Sequence, residues 1–314
     1  MNRKIMLFTT LAVFAAALTQ APMTHSQDSN QGQAAQQPSL NQTKPSGQAG
    51  QPAQQGQQGQ GAQQGQAAAP AAPAITPDER NAYNAIQHEI DPARQSQMVD
   101  DFAKNYPTSP LLSDVYFFGA YAYQTQGNVD KAVEYGEKSV TANGTNLRSL
   151  LLLSELLPQP QEMQGSDADK EKKLQEAEAD ANKAMAQVPD LKLPPNTSPD
   201  QATAIRQTVT SQAHAALGMV HLQRATMSLT GTDKDELAKA ETEYKAAVTV
   251  PKPGPEDYFR LGEVYEMESK VDEAIDAFTQ CSKLSQGQLQ TMANNEIDKL
   301  KKAKAQAPAP AAKP

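Results

Sequence analysis

Between residues 77 and 305, apolar residues recur at steps of three and four, the spacing that sets side chains on one face of an α-helix. Tyr258, Leu261, Gly262 and Tyr265 form one such stripe, and Ala274, Phe278 and Cys281 form the stripe of a second helix. Gly262 has no side chain, so the second helix can approach closely there. A pair of helices with an apolar stripe on each cannot bury both stripes alone. The pattern therefore predicts a stack, in which every pair packs against its neighbours.

Copies of the pair recur upstream. Tyr116, Gly119, Ala120, Tyr123, Gly127 and Ala132 form one, with twelve residues from Ala120 to Ala132 as from Gly262 to Ala274. Its turn, Gln126-Gly127-Asn128, suits a chain reversal because Gly and Asn tolerate positive φ. Gly136 stands at its late aromatic position, which predicts looser packing, with Tyr135 in partial compensation. A third copy has Leu217 and Gly218, then Ala240, Tyr244 and Ala247, stopped by Pro251. It is ten residues longer, around Ala225 to Lys234, and lengthened helices or a longer loop would both absorb the excess. A fourth has Leu150, Leu153, Ser154 and Leu157, then Ala177, Ala181, Ala184 and Pro189, with an insertion from Pro158 to Asp169. Asp78 to Ile90, followed by Val99, Phe102 and Ala103, reads as an opening pair. Leu289, Met292, Ile297 and Leu300 read as a closing helix.

At these residues the chain resembles the tetratricopeptide repeat family, whose pattern is an aromatic, Leu-Gly, Tyr, Ala, an aromatic and a small residue, with a period of about 34 residues. Tyr258, Leu261, Gly262, Tyr265, Ala274 and Phe278 match it; Cys281 replaces a small Ala and Gln286 replaces Pro. The run from Phe102 to Pro110 resembles the repeat junctions of bacterial envelope members. The resemblance implies an all-α, right-handed α-solenoid of four to five helix–turn–helix hairpins plus a capping helix over residues 77–305. It also implies a concave groove lined by first helices. The matching positions are Asp114, Phe117, Tyr121 and Gln124; Arg148, Leu151 and Glu155; Gln212, Ala215 and Met219; and Glu256, Phe259, Glu263 and Glu266. Exposed aromatics bordered by acids suit a peptide or amphipathic helix carrying some positive charge, whereas the alternative has Phe117, Tyr121 and Phe259 packed between repeats. Members that clamp a C-terminal carboxylate use Lys, Arg and Asn here. Only Arg148 and Arg260 would serve, so that activity is not expected.

The termini have another character. Arg3 and Lys4 precede a 14-residue apolar run, Ile5 to Leu18, shorter than the ~20 residues of a spanning helix. Residues 1–26 therefore read as an export signal, cleaved after Ala17, Ala21 or Ser26; an uncleaved inner-membrane anchor is the alternative. No Cys stands near the cleavage zone, so no lipoprotein anchor is expected. Residues 27–76, rich in Gln, Ala, Gly and Pro, have too little apolar surface to offset the entropy of ordering, and read as a disordered spacer. Residues 306–314 read as a disordered tail.

Charge narrows the partners. Residues 77–298 hold 35 acidic and 20 basic residues, and residues 299–314 hold five lysines without an acid. An acidic body opposes nucleic-acid binding, which requires a basic surface. No phosphate-cradling loop or nucleophile elbow occurs. His214 and His221 lie about 10 Å apart along one helix, too far to share an ion, and read as packed, hydrogen-bonded residues. His88-Glu89 lacks the second His of a zinc helix. The carboxylate pairs Glu263–Glu266 and Glu176–Asp180 read as solvated charges. Cys281, the one cysteine, reads as buried and inert. Asn143-Gly144-Thr145 and Asn196-Thr197-Ser198 read as turn and cap residues. With no cofactor, metal or catalytic constellation expected, the sequence favours a non-catalytic, exported scaffold for a protein partner in the periplasm or cell envelope. A tethered, self-associating envelope component is the alternative.

Overall fold

Seven of the helix starts fall where a side chain satisfies amides that have no partner within the helix. Residues 74–228 and 231–306 are described by a computed structural model. Thr76 and Glu79 form a reciprocal capping box at α1 (Pro77–His88), as do Ser166 and Asp169 at α6 (Asp167–Gln187) and Ser198 and Gln201 at α7 (Pro199–Met227). Asp91, Asn128, Asn146 and Asp233 cap α2 (Pro92–Asn105), α4 (Val129–Ala142), α5 (Leu147–Leu156) and α8 (Lys234–Ala247). Proline opens α1, α2, α7 and α9 (Pro255–Met267), where its missing N–H is not needed. The others are α3 (Leu112–Thr125), α10 (Val271–Leu284) and α11 (Gly287–Gln306). Asn143 and Ser198 are turn and cap residues as expected: Asn143 accepts from the Thr145 backbone at 3.1 Å, and Ser198 caps α7.

These eleven helices, the only regular elements among the described residues, pair in order: α1 with α2, α3 with α4, α5 with α6, α7 with α8, and α9 with α10. The second helix of every pair packs on the first helix of the next, and α5 meets α7 as α7 meets α9. The unit is thus an α-solenoid of five stacked hairpins closed by α11. Leu289, Ala293, Ile297 and Leu300 bury the inner side of that last helix. The described residues include no helix long and apolar enough to cross a membrane. The export segment 1–26, the spacer up to residue 73 and the tail from 307 lie outside the described residues. Ile75 and Thr76, assigned to the spacer from the sequence, belong to the packed unit: Ile75 packs on the first core and Thr76 caps α1.

Glycines set the spacing within hairpins. A Cβ on Gly262 would stand 2.8 Å from the Phe278 ring, one on Gly218 2.9 Å from the Tyr244 ring, and one on Gly119 2.7 Å from the Tyr135 ring. The same ring-on-glycine contact thus recurs in three hairpins, and Tyr135 compensates for Gly136 as expected. The looser packing expected at Gly136 is not found. Leu153 of α5 fills that space, 2.8 Å from where a Cβ would stand, because the next hairpin supplies the volume that the missing ring leaves. The ten extra residues of the third copy are shared between helix and loop. Gly218 lies nine residues before the end of α7 where Gly262 lies five before the end of α9, and the rest lengthen the turn and the start of α8.

Candidate functional site

The first helices α3, α5, α7 and α9 carry the residues expected to line a groove, and the structure divides them into two groups. On α3 and α5 the face is closed by its own side chains. Arg148 donates to Asp114 at 2.7 Å and lies over Phe117 and Phe118, its guanidinium carbon 4.4 and 5.2 Å from their ring centres. Tyr121 stacks on Phe117, with 6.4 Å between ring centres. Phe117 is 1% exposed and Phe259 6%, and Leu151 and Met219 are also buried. These four are therefore packing residues rather than an open aromatic floor: for Phe117 and Phe259 the packed alternative of the sequence reading holds, and for Leu151 and Met219 the groove assignment is corrected. Adjacent repeats bring their first helices close enough for the side chains to fill the space between them. Tyr121 stays half-buried.

Polar bonds lock this half. Ser113 donates to the Ser139 carbonyl at 2.9 Å, Ser139 to the Ser113 carbonyl at 2.7 Å, and Ser149 to the Ser139 hydroxyl at 2.6 Å. Asn146 adds bonds to Ser113 and Asp114. Buried and internally satisfied, the network ties α3, α4 and α5 into fixed register. Serine carries no sequence signal for such a network, so it was not foreseen.

The histidines behave as expected. His214 Nδ1 meets Glu243 at 2.7 Å and His221 Nδ1 meets Glu236 at 2.8 Å, each bond joining α7 to α8. No group of three His, Cys, Asp or Glu among the described residues is placed to hold a metal ion. Cys281 is fully buried, and burial pushes its thiol up to about 11. In the native protein an alkylating reagent should leave Cys281 unmodified at neutral pH, and mass spectrometry should show full labelling once the chain is unfolded. In the insertion 158–169, buried Glu162 is held by Lys173, whose Nζ reaches the Glu162 carboxylate and carbonyl at 2.7 Å each. That contact fastens the insertion to α6.

The second group lies on α5, α7 and α9, and includes two acids expected in the groove, Glu155 and Glu256, with Asp257 beside them. Glu155 is half-buried on α5. Desolvation, then the charges of Asp257 and Glu256, push its carboxyl up to about 8. Asp257 rises to about 7, chiefly through desolvation and then through Glu256. The α9 N-terminus and the Gly254 backbone bond favour its charged form, yet burial outweighs them. Desolvation also raises Glu256. The sequence offered no source of such tuning; stacking supplies one by bringing α5 within electrostatic reach of α9. Asp257 was not among the expected groove residues.

The neighbouring cation is already engaged. Arg260 donates to Glu263 at 2.7 Å, and Glu266 is paired with Lys299 of α11 at 2.6 Å. Polar atoms on three of the first helices have no hydrogen-bond partner among the described residues: both amide atoms of Gln124, Oε1 of Gln212 and Oε2 of Glu256. Each is shielded from solvent and each belongs to a residue expected in the groove.

No family model and no curated protein matches the chain. Among solved structures it is similar to a thermophilic TPR protein of Thermus thermophilus, at TM-score 0.48 and 17% identity over 70% of this chain and 98% of that one. It is also similar to Acl4, described as an assembly chaperone of RpL4 (TM-score 0.48, 12% identity, 74% and 91% covered), and to yeast Tom70 (0.35, 14%, 72% and 47%). The chain's own hairpins, stacked in order with a ring seated on a glycine in three of them, make the described residues an α-solenoid of helix–turn–helix repeats.

Proposed function

We propose that the chain is a non-catalytic scaffold that binds a protein or peptide partner along its first helices, after export to the bacterial periplasm or cell envelope. The observation that carries the binding reading is the set of unpartnered polar atoms on Gln124, Gln212 and Glu256. A shielded polar atom without a partner costs about 1–3 kcal/mol, a cost that a bound chain would remove by supplying the missing bond. These atoms fall on three first helices, along the face assigned to the groove. Export rests on the apolar run behind Arg3 and Lys4.

Replacing Gln124 and Gln212 together by Leu tests the reading, because it removes both unpartnered amide atoms of Gln124 and the unpartnered Oε1 of Gln212 and keeps the volumes. Stability should hold or rise by about 1 kcal/mol. Recovery of a defined partner from envelope extract should fall about tenfold or more. Recovery at wild-type yield, or equal loss on changing Asp130 and Glu134 on the exposed side of α4, would sink it. Fractionation and intact mass address export, and sedimentation separates a monomeric scaffold from the tethered, self-associating alternative.

A further inference from the structure

We draw no further inference here: the strongest candidate, the surface patch where the 158–169 insertion meets the end of α7 through the bond from Gln223 to the Pro158 carbonyl, with Met163 and Met227 half-buried, carries nothing because nothing in the structure shows what covers it.

Discussion

Phe278→Ala should lower stability by about 3–5 kcal/mol, among the largest effects expected of one substitution in this chain. The ring is fully buried, rests on Gly262 and meets Phe259 edge-on with centres 5.2 Å apart. Gly262 has no atoms to follow the receding side chain, so a cavity remains. For a unit of this size that loss shifts the melting temperature by about 6–15 °C, readable from helical circular dichroism. Because repeats are stabilised by their neighbours, amide exchange should speed first in α9, α10 and α11, while α3 and α4 keep their protection. Leu284→Ala, at a position 52% exposed on the same helix, should change stability by about 0.5 kcal/mol or less. Equal effects of the two substitutions would contradict the packing described.

Stability should fall as pH rises from about 4 to about 8, the reverse of what paired surface carboxylates would give. The folded state holds protons on Glu155 and Asp257 up to about 8 and about 7, whereas the unfolded chain releases them near 4. Between those values the native state binds more protons, so raising the pH favours unfolding. Asp180, raised to about 6 by burial, acts in the same direction. Asp169, Glu236 and Glu241 are lowered and act oppositely, their contribution fading as pH falls below about 4. Maximum stability should therefore lie between about pH 4 and 5. Glu155→Gln with Asp257→Asn should raise stability near pH 8.5 by about 2–4 kcal/mol, a figure reduced for half-exposure and for the coupling of the two groups. Denaturant titrations of wild type and variant near pH 5 and pH 8.5 measure this. A wild type equally stable at both would refute the buried acid group.

Much of the repeat grammar was legible in the chain. Gly218, Gly262 and the rings of Tyr244 and Phe278 stand at fixed separations, and those separations hold within single hairpins of local contacts. The His214 and His221 bonds were legible for the same reason, since each reaches only the adjacent helix. The groove was harder to read. Phe117 is covered by Arg148 of the following repeat, and Phe259 meets the Phe278 ring of its own hairpin, so their burial depends on how the helices stack. Glu155 and Asp257 look like ordinary helix-surface acids, separated in sequence by about a hundred residues.

By itself the sequence determined where helices start, which faces are apolar and where a side chain is absent so that two helices can touch. Those properties depend on neighbours within a few turns of the chain. Tertiary structure alone decided which first-helix residues are covered and which acids share a desolvated environment. Burial and charge coupling depend on distances between hairpins, and those distances are set by how successive units stack.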